Sequence, residues 1–283
     1  MDRVVKEQVM SSAGDLKGRT AVVTGASSGI GRAISEGLGA SGAHVVLCGR
    51  TASAMDESIE RIVAAGGSAD AVVADICEPG AIQGLIDAAV KKTGQLDILV
   101  NNAGVGSFGT ILGTDIDQWR TLLETNVLAL MQGCKAAVVS MRSTGTRGHI
   151  VNVSSIAAKS PESGIYGASK HAVNVVTNTL RLELIDDPIR LTTIMPGVVA
   201  TNFARYLDAT VLEGLAAMVG DGETIRPGER LPDAVLERAQ AALGDFMIRP
   251  EDIAAAVLFA VTQPSGVDVS EIVVRPSKDL ALT

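Results

Sequence analysis

A run of β-branched and small residues, R-T-A-V-V-T at Arg19–Thr24, passes without a break into G-A-S-S-G-I-G at Gly25–Gly31. Ile30, Ile34 and Leu38 then recur at helical spacing as far as Ser41-Gly42, and A-H-V-V-L-C, Ala43–Cys48, is a second apolar run. A strand, a glycine turn, a helix and a second strand within about thirty residues make a β-α-β unit. The glycines leave no side chain between the turn and an approaching diphosphate, and the helix N-terminus offers free N–H groups and positive potential. Parallel strands need such a crossover, so this unit commits the chain to a parallel sheet with helices packed on it.

The alternation continues down the chain. Helices are predicted over Met55–Ala65, Ile82–Val90, Ile116–Met141, Gly167–Ile185 and Glu251–Val261, with strands over Ala71–Ala74, Leu96–Val100, His149–Val153, Leu191–Ile194 and Glu271–Val274. Near-continuous apolar strands separated by helices mean a sheet covered on both faces. The expected fold is α/β, a doubly wound parallel sheet of Rossmann type, with ligands beyond the carboxyl ends of the strands. Residues 1–15 read as an N-terminal extension and 16–283 as one domain. Only Asn202–Met247 breaks the rhythm, with helical patches (Val211–Val219, Ala234–Leu243) around a polar Gly/Pro stretch. It is predicted to be a helical lid inserted over the active-site edge.

Composition narrows the partners. The 283 residues are 47% hydrophobic, enough for a large core, and carry a net charge of −8 without a Lys/Arg run. That argues against nucleic acid or an anionic membrane surface as a partner. No uninterrupted apolar stretch reaches the roughly 18 residues of a membrane helix, and the N-terminus does not resemble a signal peptide. A cytoplasmic protein is expected. Cys48, Cys77 and Cys134 lie far apart and suggest neither a disulfide framework nor a metal site. His44, His149 and His171 have no ligand partner at metal spacing, so structural roles and no metal are expected.

The stretch S-I-A-A-K-S-P-E-S-G-I-Y-G-A-S-K, Ser155–Lys170, holds a Tyr and a Lys four residues apart. Residues i and i+4 share a helix face, so Tyr166 and Lys170 can reach one site. An ammonium beside a phenol favours the phenolate and would bring a group titrating near about 10 into a useful range.

Six motifs stand in order: T-G-A-S-S-G-I-G, N-N-A-G at 101–104, Asn126 in E-T-N-V, S-S at 154–155, Tyr166-x-x-x-Lys170 and Pro196-Gly197. On these, from about residue 16 to 276, the chain resembles the short-chain dehydrogenase/reductase family. Its ending, R-P-E-D-I-A at 249–254 and S-E-I-V-V-R-P at 270–276, is similar to an NADP-preferring bacterial oxidoreductase subgroup. The resemblance implies an enzyme that interconverts a carbonyl (ketone or aldehyde) and an alcohol by hydride transfer with NADP(H). Tyr166 would be the general acid/base, Lys170 would tune it and bind the nicotinamide ribose, Ser155 would hold the substrate oxygen and Asn126 would support a relay water. The cofactor contacts implied are Gly25, Ser27, Ser28, Gly29, Ile30 and Gly31 of the turn, then Asp75, Ile76, Asn102, Ala103 and Gly104 on the adenosine side. On the nicotinamide side they are Pro196, Gly197, Val199 and Thr201, with Tyr166 and Lys170. A homodimer or homotetramer is implied too, through the helices at 116–141 and 163–185.

Two positions qualify the resemblance. The loop from Ser155 to Tyr166 is two residues shorter than is usual in the family, which leaves Ser154 as a competitor for the catalytic serine. At the end of the second strand, where an acid would bind a ribose 2′-hydroxyl, Gly49 and Arg50 stand instead; a guanidinium there favours a 2′-phosphate, hence NADP(H). Trp119 reads as a packing residue, whereas Phe108, Phe203 and Tyr206 lie on loops near the ligand edge. Two other readings stay open: a cofactor-binding regulatory or scaffold protein without turnover, and an epimerase or dehydratase on the same fold.

Overall fold

In the computed structural model, which describes residues 16–107, 109–206, 212–214 and 228–278, seven parallel strands form one sheet. They are β1 (Thr20–Thr24), β2 (His44–Gly49), β3 (Ser68–Val73), β4 (Ile98–Asn101), β5 (His149–Val153), β6 (Arg190–Pro196) and β7 (Glu271–Val274), in the order β3-β2-β1-β4-β5-β6-β7. The strand order reverses between β1 and β4, and this opens a crevice at their carboxyl ends. The helices are α1 (Gly29–Ala40), α2 (Ala52–Ala64), α3 (Ala81–Thr93), α4 (Ile116–Leu123), α5 (Ala129–Thr144), α6 (Gly164–Glu183), α7 (Asp233–Leu243) and α8 (Pro250–Val261).

The period-two alternation of the strands sorts the core into two layers. Val23, Val45, Leu47, Val100 and Val151 face Ile34 and Leu38 of α1 and Ile253 and Val257 of α8. Val22, Val46, Leu99 and Ile150 face Leu85 and Ile86 of α3, Leu130 and Met141 of α5 and Val173 of α6. Each fully buried aliphatic side chain contributes roughly 1.5–3 kcal/mol, so these two layers hold the sheet that positions the cleft.

Besides shifts of a few residues at other element ends, three elements differ from expectation in ways that have a physical reason or bear on the cleft. β3 begins at Ser68, three residues before the predicted strand; it is an edge strand, mostly half-buried, and so lacks the apolar run of the inner strands. The helix predicted over 116–141 is interrupted by a π-helical turn at Glu124–Leu128. α6 starts at Gly164 rather than Gly167, which puts Tyr166 inside its first turn. The helical run Ile116–Thr144 is long and apolar enough to cross a membrane by length and composition, but 56% of its most apolar window is buried in the fold, as befits a core helix. Of the expected lid, the described parts are a 3-10 turn at Asn202–Tyr206, residues 212–214 and the chain from 228 through α7. The N-terminal extension 1–15 and Phe108 lie outside the described residues, as does much of the patch Val211–Val219.

Candidate active site

The glycine turn between β1 and α1 is closed by contacts that only glycine permits. Gly25 and Gly29 have φ of 66° and 53°, in the left-handed region that glycine alone enters freely. A Cβ on Gly25 would lie 2.8 Å from the Ala103 Cα, and one on Gly31 would overlap the Gly25 carbonyl. Beneath the turn, the Thr24 hydroxyl accepts from the backbone N–H groups of Asn102 and Ala103, both at 3.1 Å, and donates to the Val100 carbonyl at 3.3 Å. The Asn102 side-chain amide donates to the Thr24 and Gly25 carbonyls at 3.0 and 3.3 Å. The N-N-A-G strand end is thus laced to the glycine turn. Thr24 went unremarked in the motif because a β-branched residue in a strand carries no signal of its hydroxyl's partners. Ser27 faces the end of β2, with its Cβ 3.2 Å from where a Gly49 side chain would start. Ser28 caps α1 without a side-chain hydrogen bond, which leaves the first N–H groups of the helix open to a ligand. The cradle fits a diphosphate.

Two cavities meet above this turn. One, of about 210 Å³, reaches Tyr166, Lys170 and Ser155 and is walled by Ile30, Pro196, Gly197, Val199, Thr201 and Phe203. The other, of about 250 Å³, runs to Arg50, Asp75 and Ile76 at the ends of β2 and β3. Gly25, Ala103, Gly104 and Arg205 line both. Every residue named from sequence as a cofactor contact borders one of the two except Ser27 and Gly31, which shape the turn itself, as a backbone-packing role for a glycine loop would have it.

The Tyr/Lys pair sits at the mouth of α6. Tyr166 and Lys170 are 7% and 4% exposed, and the Lys170 Nζ lies 5.9 Å from the Tyr166 ring centroid. That Nζ donates to the Val153 carbonyl at 2.9 Å. The two serines part company here. Ser154 donates to the Lys170 carbonyl at 3.0 Å and so braces the helix. Ser155 accepts from the Ala157 N–H at 3.1 Å, donates to the Pro196 carbonyl at 3.5 Å, and stands beside the Tyr166 phenol, whose charged form its hydroxyl favours. The short loop between them closes as two 3-10 turns, Ile156–Lys159 and Pro161–Ser163. Gly167 completes the closure, since a Cβ there would stand 2.6 Å from the Ser163 Cβ.

The electrostatics differ from the expectation that lysine draws the phenol down. Burial pushes the Tyr166 phenol up to about 12, opposed by the Ser155 hydroxyl, and pulls the Lys170 ammonium down to about 8. Desolvation penalises both charged forms, and the ammonium spends a hydrogen bond on Val153 rather than on the phenol.

Asn126 occupies the π turn. Its Oδ1 accepts from the Val105 N–H, and its Nδ2 donates to the Val105 carbonyl, each at 2.9 Å. The same Nδ2 donates to the Ser169 hydroxyl at 3.1 Å, which in turn donates to the Tyr166 carbonyl at 2.7 Å. The extra residue of a π turn re-aims one side chain, and such turns cluster at functional sites. The apolar spacing on either side stays helical, so the interruption left no mark on the periodicity. Ser169 was missed because its partner, Asn126, lies 43 residues away in sequence.

At the other end, Arg50 is 70% exposed at its side chain, with Asp75 Oδ2 at 3.9 Å from its Nη1. A carboxylate does therefore stand near the position that seemed free of one. Phe203 packs on Tyr166 with centroids 5.4 Å apart and on Tyr206 at 5.3 Å. Trp119 is half-buried on α4. Cys48 and Cys134 are buried, whereas Cys77 is half-buried and lines the second cavity. His149 is buried, and desolvation holds its imidazole down at about 3, so it is neutral.

Known proteins bear on this geometry. The family model described as short chain dehydrogenase matches residues 19–211. An uncharacterized oxidoreductase of Methylorubrum extorquens is 33% identical over 261 residues, 91% of this chain and 96% of its own. Glycine betaine reductase of Emericella nidulans is 34% identical over 266 residues, but those cover 93% of this chain and only 19% of that far longer protein. A metagenomic short-chain oxidoreductase solved in complex with NADP superposes with a TM-score of 0.72 at 31% identity, covering 93% of this chain and 99% of that one. A short-chain dehydrogenase/reductase from Burkholderia phymatum, solved with NAD, gives 0.72 at 27% identity over 92% and 89% of the two chains. Sequence, fold and cleft agree on one conclusion: this chain belongs to the short-chain dehydrogenase family of oxidoreductases.

Proposed function

We propose that the protein interconverts a ketone or aldehyde and the corresponding alcohol with NADP(H). The observation that carries this reading is the meeting, in one cavity above the glycine turn, of the Tyr166 phenol, the Ser155 hydroxyl and the buried Lys170 ammonium. A bound nicotinamide would supply or take up the hydride. Gly25, Gly29, Gly31 and the open N-terminus of α1 would hold its diphosphate. Asp75 and Ile76 would border the adenine, Lys170 the nicotinamide ribose, and Pro196, Gly197, Val199 and Thr201 the nicotinamide.

In reduction, the carbonyl carbon gains a hydride and its oxygen gains a proton. Ser155 would hold that oxygen, and Tyr166 would give the proton. A phenol pushed up to about 12 is neutral at ordinary pH and holds the proton that reduction consumes. The Lys170 ammonium would stabilise the phenolate left behind. Asn126, braced between Val105 and Ser169, would anchor the water that returns a proton to the pair. Of the two serines, the hydrogen bonds support Ser155 for the substrate oxygen and Ser154 for bracing α6.

The exposed Arg50 supports a 2′-phosphate and hence NADP(H) over NAD(H), against some opposition from Asp75. Asn202–Met247 would act as the substrate-side lid, with Phe203 and Tyr206 as its apolar wall. Exposed Leu123, Leu128, Met131 and Val139 on α4–α5 and Val175 and Leu182 on α6 support a homodimer or homotetramer through these helices.

The test is NADPH oxidation across a panel of ketones and aldehydes. Turnover of at least one class supports the reading. NADPH binding with no turnover of any would turn it toward a non-catalytic cofactor-binding protein, and product without net NADPH change toward an epimerase or dehydratase.

A further inference from the structure

Arg205 has no part in the roles assigned above. The fold satisfies three other half-buried guanidiniums internally, though among the described residues not that of Arg19: Arg32 lies 3.3 Å from Glu57, Arg181 lies 3.5 Å from Asp268, and Arg190 donates to the carbonyls of Gln263, Pro264 and Val267. Arg205, half-buried, has no carboxylate partner among the described residues. It is nonetheless held in place. Its guanidinium lies over the Tyr206 ring at 4.8 Å from the centroid, and Nη2 donates to the Tyr206 hydroxyl at 2.9 Å. The turn beneath is pinned twice, by the Gly228 N–H on the Arg205 carbonyl at 2.8 Å and by the Leu231 N–H on Asn202 Oδ1 at 2.7 Å.

A positioned, half-desolvated cation with no counter-charge among the described residues fits an anion. Arg205 borders both cavities at their junction, as do Gly25, Ala103 and Gly104. The middle of a dinucleotide laid along the cleft falls at that junction. Arg50, by contrast, lines only one of the two cavities, the one that runs to Asp75 and Ile76.

We propose that Arg205 clasps the bridging diphosphate of the nicotinamide dinucleotide from the substrate side, opposite the glycine turn. The proposal rests on the cofactor reading above. It makes the Asn202–Tyr206 turn a part of the cofactor site as well as a wall of the substrate pocket. Such a clasp reads charge common to NADPH and NADH, whereas Arg50 reads the 2′-phosphate that distinguishes them.

The test is calorimetric titration of the full chain and its Arg205→Ala, Arg205→Lys and Arg50→Ala variants with NADPH, NADH and adenosine 2′-monophosphate, which has no bridging diphosphate. Arg205→Ala should weaken NADPH and NADH by the same factor, about tenfold or more, and leave the monophosphate unchanged. Arg205→Lys should recover part of the loss, and Arg50→Ala should weaken NADPH and the monophosphate but not NADH. Unchanged NADPH binding in Arg205→Ala overturns the proposal. So does weakened NADPH with unchanged NADH, which would make Arg205 a 2′-phosphate reader. Unchanged nucleotide binding with a raised KM for a carboxylate-bearing carbonyl substrate would move the anion to the substrate, again against the clasp. A wild-type chain that binds neither dinucleotide sinks the nicotinamide reading itself, and the clasp with it.

Discussion

On the cofactor side of the cleft, two backbone segments are laced together: Thr24 and Asn102 bind each other's main chain, and Gly25 and Gly31 admit no Cβ. On the substrate side, Phe203 and Arg205 stand on a short 3-10 turn and pack ring on ring and guanidinium on ring, and Ser155 caps another such turn. A wall made of main-chain contacts is intolerant, because backbone cannot give way. A wall made of rings and hydroxyls on short turns can be re-cut without disturbing the sheet. The first fits a ligand common to a family, the second a substrate that differs between members.

Breaking each wall separately sharpens that contrast. Apart from the proton donor itself, the largest effect is expected at the serines. Ser155→Ala should lower kcat by about 10²–10³ with NADPH binding kept, in line with the loss of one oxygen-binding donor, while Ser154→Ala should cost mainly stability. Steady-state kinetics beside urea unfolding separates the two, and equal kinetic losses would undo the distinction. Next comes Gly31→Ala, whose Cβ overlaps backbone. It should destabilise the fold by about 3 kcal/mol, through overpacking, and weaken NADPH sharply. A variant that binds NADPH normally would show the turn to be slack.

The smallest effect is that of pH. Lys170, held down at about 8, is charged below that pH and neutral above it. NADPH affinity should therefore fall a few-fold as pH rises through about 8, and Lys170→Met should flatten the profile. Linkage runs the other way for folding. Between about 8 and the ordinary lysine value of 10.5 the unfolded chain binds the proton and the folded chain does not, so this group's contribution to stability rises with pH. Tyr166, raised to about 12, begins to oppose it above its ordinary value of 10.0.

The same contrast explains what could be read from sequence. The inner strands announced themselves through unbroken apolar runs, and the glycine turn through residues that have no substitute. β3 did so poorly, since an edge strand such as Ser68–Val73 carries Asp70 and no buried face of its own. The π turn at Asn126 and the anchoring by Ser169 depend on partners more than twenty residues away and leave no local pattern. The Tyr166 phenol also shows the limit of spacing arguments. Proximity to Lys170 suggested a lowered pKa, but the depth of burial, which no spacing encodes, decided the direction. Arg205 became visible only when two cavities met on it.

The central claim is that Tyr166 moves the proton while the glycine-turn wall holds the cofactor independently of it. Tyr166→Phe, measured on one preparation for both kcat on a carbonyl substrate and the Kd of NADPH, tests this directly. The account predicts that kcat falls by about 10³ or more while Kd stays nearly unchanged. Turnover close to wild type, or NADPH binding lost together with it, would contradict the account.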